Sequence, residues 1–395
     1  MKKRTLLGAI LLQLAFSIYA QTVPNTVDKI LQSIDRNNKE IKAMNEDAKA
    51  KKMENLSVNN LSDPTLSYAS TYANDADNNH STEFIALQSF DFPTQYISRH
   101  KQAKLQNVAV TKEQEIGRRD LLLKAKHLCL DIILLNKEKE FLNKRVEVSN
   151  HLYSLFNKKM EEGESNAIEF NKLKMEVMNL KAQVSQNNVN HRTALQQLLA
   201  MNDNIPVELE QASYPEVKSV DDLNKFREEM MASDIDLQAI AAYTKAADKQ
   251  VNVEKQSWLP KFEVGFRRNT TSVNAENGFI IGGTLPIFEN RKKVGIAKAK
   301  ALSTKYMQES VRIDRENAII AMFNEIQQMK ASIDAYDLSL MYNYLDLLKI
   351  SLESGEISLI EYYVEAEDVF SKFQSFFELE NRYQKLIAEV YKNSL

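Results

Sequence analysis

Few residues of the sequence have the types and spacing that catalysis or metal binding requires. The single cysteine, Cys129, has apolar neighbours at helical spacing, so we expect a buried thiol without an intrachain disulfide. The sequence contains no phosphate-binding loop and no Gly-x-Ser-x-Gly nucleophile motif. The five histidines are scattered and none has metal-ligand spacing: His80, His100, His127, His151 and His191. We therefore predict a protein that is not an enzyme and has no cofactor and no metal site.

The polar residues that do stand out surround two glycines, each of which separates two long helical patterns. The two triplets are Glu162-Gly163-Glu164 and Ser354-Gly355-Glu356. A glycine at such a place typically ends a helix in the left-handed conformation, so each triplet is predicted to be a tight turn. Two acids, Glu361 and Glu365, follow the second turn one helical turn apart. On their own they are typical of a solvent-exposed helix face.

Long helices are expected because residues that interrupt helices are rare. Gly accounts for 9 of the 395 residues and Pro for 7, and no proline lies between Pro93 and Pro206 or after Pro286. Apolar residues in these spans step by three and four positions, as in a coiled-coil seam. The outgoing ladder contains Leu128, Ile132, Leu135, Lys139, Leu142, Val146, Ser149, Tyr153, Phe156 and Met160. The returning ladders contain residues 170, 173, 177, 180 and 184, and residues 363, 366, 370, 373 and 377.

Two short segments, 64–92 and 260–288, have the features of β-hairpins. Leu66, Tyr68, Ser70 and Tyr72 alternate with small or polar residues, as expected for a strand with two different faces. The return strand is predicted from Phe84 to Phe92. The second segment repeats the plan of the first, with a proline at each end and a polar loop in the middle.

The whole chain therefore reads as two repeats of helix, β-hairpin, long helix, tight turn and returning helix. We expect one helix from Val27 to about Asn59 in the first repeat. In the second, a single long helix should run from the hairpin to about Leu352. The predicted parts are a signal peptide (1–20), a first repeat (21–201, with β-hairpin 64–92 and helical hairpin 94–201), an equatorial insert (202–233) that ends in a short helix, and a second repeat (234–395, with β-hairpin 260–288 and helical hairpin 291–393).

The N-terminus and the charge bear on location. Three basic residues, an apolar run from Leu6 to Ile18 and a small residue at Ala20 predict a cleaved secretory signal, so the protein should be exported. No later run of 18 apolar residues occurs, so we expect no transmembrane helix. The formal charge is −3 and basic residues do not interleave with aromatic ones, so no nucleic-acid partner is expected.

Four strands and long amphipathic helices pose a packing problem for one chain. A long helix of about 65 residues is a rod of about 100 Å, which no globular domain needs. In a membrane, strands must close into a barrel, and the usual minimum is eight strands. We therefore expect several chains to share one barrel and to bury the flanks of their helices against each other.

Several of these segments resemble the TolC family of outer-membrane efflux proteins. The likeness rests on the doubled plan and on three segments: Trp258–Phe262 before a strand, Gly282–Phe288 after it, and Glu353–Ser358 at a helical turn. The resemblance implies a homotrimer in the outer membrane, with four strands per chain in a twelve-stranded β-barrel and an α-helical barrel in the periplasm. It also implies a periplasmic adaptor, an inner-membrane pump of the resistance-nodulation-division type and outer-membrane lipid as partners.

The resemblance also assigns roles to the turns and to the two acids. Residues Glu162, Gly163, Glu164, Ser354, Gly355 and Glu356 would form the periplasmic tips that dock the adaptor. Glu361 and Glu365 would line the constriction at the entrance and favour cations, although Tyr362-Tyr363 between them replaces the aliphatic pair often found there.

The implied function is a passive exit duct of a tripartite efflux pump that exports drugs or metal cations. Two alternatives stay open at this point. One is the exit tunnel of a type I protein secretion system, and the other is a periplasmic coiled-coil scaffold, which would have no use for two matched β-hairpins.

Overall fold

A computed structural model gives the structure of the protein and describes residues 26–72, 80–163, 167–217, 220–288 and 290–395. The predicted signal peptide lies outside these ranges, and so does Glu164 of the first triplet. The described chain is mostly helical and contains one four-stranded sheet, which agrees with the predicted fold class.

The segment before the first hairpin forms two helices, α1 (Thr26–Asn37) and α2 (Lys39–Ser57), so the prediction of one helix was wrong. The interruption is Asn38, whose side-chain oxygen accepts hydrogen bonds from the amides of Glu40 and Ile41 at 2.8 and 3.0 Å. Its side-chain amide donates to the carbonyl of Met201 at 2.7 Å. Asn38 thus caps α2 and ties it to a distant part of the chain.

The two hairpins join into a single antiparallel sheet. Its strands are β1 (Thr65–Tyr72), β2 (His80–Phe90), β3 (Lys261–Thr271) and β4 (Ala275–Thr284), and they lie in sequence order. The central pair, β2 and β3, connects the two repeats, and Phe84 is paired with Tyr68 on one side and with Arg268 on the other. The return strand of the first hairpin begins at His80, four residues earlier than predicted.

A long helix leaves each hairpin. In the first repeat, α3 (Pro93–Glu161) has 69 residues and returns through α4 (Ala167–Met201). The seam of α4 is a strict heptad ladder of buried residues: Leu173, Leu180, Asn187 and Ala194. The ladder predicted for α3 is only partly correct. Lys139 is exposed, while the polar residues Asn136 and Arg145 are buried instead, because they make specific hydrogen bonds to other elements.

The described residues of the insert before α5 (Leu223–Ser233) are irregular, as predicted, and α6 (Ile235–Gln256) then leads into the second hairpin. After that hairpin the chain forms α7 (Lys293–Asp334), α8 (Leu338–Glu353), α9 (Leu359–Val390) and a final 3-10 turn (Lys392–Ser394).

The prediction of one continuous helix up to Leu352 was wrong. The chain breaks at residues 335–337, where the side chain of Asp337 accepts a hydrogen bond from the amide of Leu340 at 2.9 Å and caps α8. Tyr336, in the break, packs against Phe376 of α9 with ring centroids 5.5 Å apart. No proline or glycine marks this break.

Apolar contacts hold the helices together in four clusters along the rods rather than in one core. One joins α1, α3 and α4 around Ile34, Cys129 and Leu130. Another, near the two glycine turns, joins α3, α4, α8 and α9 around Leu152 and Leu352. As predicted, Cys129 is buried, and its burial raises the pKa of the thiol to about 12.

A buried charge cluster fixes the middle of the helical part. Arg119 of α3, only 4% exposed, donates two hydrogen bonds to Asp236 of α6 at 2.7 and 3.3 Å. Arg315 of α7 contacts the same carboxylate at 2.7 Å and Asp234 at 2.9 Å. Arg119 also contacts Asn393 at 3.0 Å, so this charge cluster joins four segments of the chain.

None of the helices in the described ranges combines the length and the apolarity that crossing a bilayer requires.

The charge cluster predicts a specific loss of stability in Asp236→Asn. Burial alone would raise the pKa of Asp236, but the hydrogen bonds and positive charge of Arg119 and the charge of Arg315 outweigh it and lower the pKa. Removing this charge leaves two guanidinium groups without their shared partner, which should cost about 2 kcal/mol. Thermal unfolding followed by circular dichroism at several pH values measures the difference.

Because the folded pKa is lowered, the contribution of Asp236 is complete above the unfolded carboxyl pKa and disappears as the pH falls through the folded value. The matched control is Asp248→Asn, which breaks an exposed pair with Lys305 at 3.1 Å and should change stability by less than about 0.5 kcal/mol. Equal melting of both variants would show that the cluster does not stabilise the fold.

Candidate functional site

One face of the sheet carries most of its large apolar side chains, most of which are exposed in the single chain, together with the polar residues Gln88, Arg268 and Asn277. Residues paired across neighbouring strands have their side chains on the same face. The apolar residues of this face are Leu66, Tyr68, Phe84, Ala86, Phe90, Phe262, Val264, Phe266, Phe279 and Ile281. Phe279 is 90% exposed and Ile281 86% exposed, so the chain itself does not cover this face. An apolar face of this size needs a nonaqueous environment.

The opposite face of the sheet carries charged, polar and small residues and three aliphatic ones, Ile85, Leu87 and Ile280. Glu83 of β2 and Arg267 of β3, which are diagonal neighbours on the two strands, form an ion pair at 2.5 Å. Ser89 lies within 3.4 Å of Glu263 on the same face. At Gly265 the chain approaches its neighbour closely, since a Cβ there would lie 2.4 Å from the carbonyl oxygen of Ala86. This face is therefore suited to water.

The outer strands β1 and β4 are paired on one side only. Their outer edges present backbone amides and carbonyls that no other described strand satisfies. The sheet is thus incomplete by itself, both at its edges and on its apolar face.

Both predicted turns have the expected glycine geometry. Gly163 and Gly355 have φ of 77° and 79°, the left-handed region in which a Cβ is unfavourable. In the second turn the amide of Gly355 donates to Leu352 at 3.2 Å and that of Glu356 to Ser351 at 2.9 Å. These two bonds form a Schellman motif, so this helix end is well defined.

The two turns lie at the same end of the helices as the apolar cluster that contains Leu152, Leu173, Leu352 and Leu359. In the first turn the amide of Gly163 donates to Met160 at 3.2 Å, the bond that corresponds to the one at Gly355. The cluster packs the helical hairpin of the first repeat against that of the second. The two turns are therefore held side by side as one end surface.

Glu361 and Glu365 are both exposed on α9, but each is engaged locally. Glu361 completes a capping box with Ser358: its carboxylate accepts from the Ser358 amide at 2.8 Å, and its own amide donates to the Ser358 hydroxyl at 3.2 Å. The hydrogen bond from the Ser358 backbone amide lowers the pKa of Glu361, so its charge is retained. Glu365 accepts a hydrogen bond from Tyr344 of α8 at 3.0 Å.

Sequence reasoning missed a buried arginine beside these acids. Arg145 of α3 lies 3.8 Å from the ring centroid of Phe370 and contacts Glu176 of α4 at 3.1 Å and Glu367 of α9 at 3.5 Å. It therefore links three helices of the two hairpins. The one sequence signal for the burial of Arg145 is its position between Leu142 and Ser149, two residues of the predicted seam of α3.

Tyr362 and Tyr363, between the two acids, are buried in the apolar cluster next to Arg145. Burial raises the pKa of both hydroxyls, that of Tyr362 to about 12. The tyrosines thus hold α9 in place and orient the acids that flank them toward the exposed side. Among the described residues, no group of three or more His, Cys, Asp or Glu is arranged to hold a metal ion.

The geometry of the second turn predicts that Gly355→Val loosens it. No atom lies within 4 Å of a Cβ built on Gly355, so the cost is conformational and amounts to about 1–2 kcal/mol. Amide hydrogen exchange should become faster around residues 351–357, while the charge cluster at Asp236 keeps its protection. Gly295→Ala is the matched control, because Gly295 also has open space around it but lies inside a helix without positive φ. Unchanged exchange in Gly355→Val would contradict the strain argument.

Comparison with known proteins connects these features to a family. A family model described as outer membrane efflux protein matches residues 227–392. No curated protein matched the sequence. The fold is similar to that of CusC, with a TM-score of 0.71 and 15% identity over 94% of this chain and 92% of CusC.

Two further solved structures show the same fold. VceC, an outer membrane protein of Vibrio cholerae, aligns with a TM-score of 0.72 and 13% identity over 93% of this chain and 95% of VceC. The open state of the MtrE outer membrane channel of Neisseria gonorrhoeae aligns with a TM-score of 0.71 and 13% identity over 93% of this chain and 88% of MtrE. The resemblance seen in the sequence is therefore confirmed: residues 227–392 match the outer membrane efflux protein family, and nearly the whole chain has the fold of outer-membrane channels.

Proposed function

We propose that three copies of this chain form an outer-membrane channel-tunnel, which is the passive exit duct of a tripartite efflux pump for drugs or metal cations. The observation that carries the proposal is the two-faced, open-edged sheet. Its apolar face, with Phe279 90% exposed, fits lipid, and its polar face, with the Glu83–Arg267 pair, fits a water-filled lumen.

The open edges of the sheet favour a closed assembly. Unpaired backbone groups are not tolerated in hydrocarbon, so β1 of one copy must pair with β4 of the next. Three copies supply twelve strands, a number within the range of outer-membrane barrels.

The helices also present surfaces that suit a second copy of the chain. Met175 and Met178 of α4 are 60% and 70% exposed, and Leu340, Leu347 and Ile350 of α8 are 62–64% exposed. Such exposed apolar rows on long helices are buried when helices of neighbouring copies pack side by side. A continuous ring of helices would extend the lumen away from the membrane.

We assign the end surface formed by the two turns to the periplasmic partners. Glu162, Gly163, Ser354, Gly355 and Glu356 lie on this surface and would contact the periplasmic adaptor, with Glu164 as a further candidate. The adaptor would connect the duct to an inner-membrane pump of the resistance-nodulation-division type. The duct itself needs no reaction chemistry.

The alternative of a soluble periplasmic scaffold is not supported by the sheet. A scaffold in water would leave the aromatic and aliphatic side chains of the apolar face exposed, with the associated free-energy cost and risk of aggregation.

The oligomeric state provides the direct test. Native mass spectrometry of the full chain purified in mild detergent should give the mass of three copies, because four strands per copy cannot satisfy their own edges. The same sample in planar bilayers should form discrete, long-lived conductance steps. A stable, folded monomer that does not conduct would refute the proposal.

The acids of α9 provide a test of the entrance. In a trimer, Glu361 and Glu365 would place six carboxylates around one opening and attract cations. Glu361→Gln and Glu365→Gln should each remove part of the cation preference, because each carboxylate is held by one hydrogen bond and contributes one charge per chain. The double variant should lose most of the preference and the block by multivalent cations, as measured by reversal potentials in planar bilayers.

Asp248→Asn serves as the control, since it removes one charge per chain at a site on α6 away from the turns. Selectivity that is unchanged in the double variant would place both acids outside the conduction path, as simple exposed helix residues.

A further inference from the structure

The segment that closes the second hairpin presents apolar side chains from a fixed loop. Trp258, Leu285, Ile287 and Phe288 are 46%, 67%, 57% and 78% exposed. The loop is anchored at Asn290, which is only 3% exposed and donates a hydrogen bond from its side-chain amide to the carbonyl of Ser257 at the end of α6. The four apolar side chains therefore stay exposed. Exposed apolar groups on an anchored loop require a partner other than water.

These side chains continue the apolar face of the sheet. Leu285 follows Phe279, Ile281 and Gly283 at the same alternation, at the end of β4 nearest the helices. Strand β2 has 11 residues, His80–Phe90, and its ten steps of about 3.3 Å at a tilt of about 40° give a height of about 25 Å. That height matches the apolar band of an outer-membrane barrel. The loop would then lie at the boundary between acyl chains and headgroups.

Positive charge follows directly in the chain. Arg291 and Lys292 are exposed, and neither forms an ion pair with any residue in the described ranges. Lys293 comes next, at the start of α7. The first repeat differs here. The residue that follows Pro93 at the same distance as Lys292 follows Pro286 is Arg99, whose side chain is only 21% exposed and pairs with Asp91 at 2.6 Å. The second hairpin therefore offers two cationic groups without an ion pair in the described ranges, close to exposed apolar side chains, whereas the corresponding arginine of the first hairpin is paired.

We propose that the exposed residues Leu285, Ile287, Phe288, Arg291 and Lys292 bind anionic phospholipid on the helical side of the membrane. Leu285, Ile287 and Phe288 insert among the acyl chains, and Arg291 and Lys292 contact the headgroup phosphate. The inference rests on the proposed outer-membrane location and adds to it the lipid class and the residues that recognise it.

Lipid titration of the full chain in detergent, followed by native mass spectrometry, tests this site. Phosphatidylglycerol and phosphatidylcholine with identical acyl chains are compared. The wild type should bind phosphatidylglycerol about tenfold more tightly, since each basic residue near a headgroup contributes to the attraction of anionic lipid. Arg291→Gln with Lys292→Gln should abolish this preference and leave phosphatidylcholine binding unchanged. Phe288→Ser should weaken the binding of both lipids.

The matched control is Lys172→Gln with Lys181→Gln, which removes the same charge from exposed positions of α4. An equal loss of preference in this control would reduce the effect to net charge and overturn the proposal. So would an undiminished preference in the Arg291/Lys292 variant, or unchanged lipid binding by Phe288→Ser. Displacement of phosphatidylglycerol by millimolar inorganic phosphate would instead identify a site for free anions.

The outcome is separable from that of the proposed function. A trimer that conducts in bilayers of pure phosphatidylcholine but shows no preference for phosphatidylglycerol refutes only the lipid site. A non-conducting monomer refutes the channel irrespective of lipid binding.

Discussion

The pairing of β2 with β3 is the contact on which the architecture depends. It runs from Ser81 opposite Thr271 to Phe90 opposite Phe262 and joins hairpins that are almost 200 residues apart in the chain. Without it, each hairpin would be a two-stranded ribbon, which is marginally stable alone. With it, both repeats start from one sheet, and the long helices that leave the sheet begin side by side.

A contact at one end cannot align rods of about 100 Å, so the helices are fixed again at two further levels. In the middle, Asp236 joins Arg119 and Arg315 and so fixes the relative positions of α3, α6 and α7. Near the turns, Arg145 joins Glu176 and Glu367 beside an apolar cluster. Apolar seams alone allow helices to slide by one heptad, whereas an ion pair of fixed geometry is satisfied in only one register.

Much of this fold could be predicted from the sequence because its main signals are local. The glycines at 163 and 355 and the prolines at 93 and 286 mark the ends of elements by their own backbone restrictions. The two helix breaks were missed because no glycine or proline marks them. They are made instead by the helix caps Asn38 and Asp337. The role of Glu361 was also missed, although Ser358 three residues before it is the sequence signature of a capping box.

The sequence did not show which polar residues are buried. Arg145 and Asn136 lie on the buried side of α3, where the repeat of threes and fours predicts apolar residues. Their partners, Glu176, Glu367 and the carbonyl of Leu209, come from distant segments, so no local pattern announces them. Rods of two helices are too thin to bury a large apolar core. Each buried polar contact therefore contributes more to their packing than it would in a protein with a large core. The sheet has no helix layer to cover it, and it places its aromatic side chains on one face and the Glu83–Arg267 ion pair on the other. The aromatic face suits lipid, and the charged face suits water.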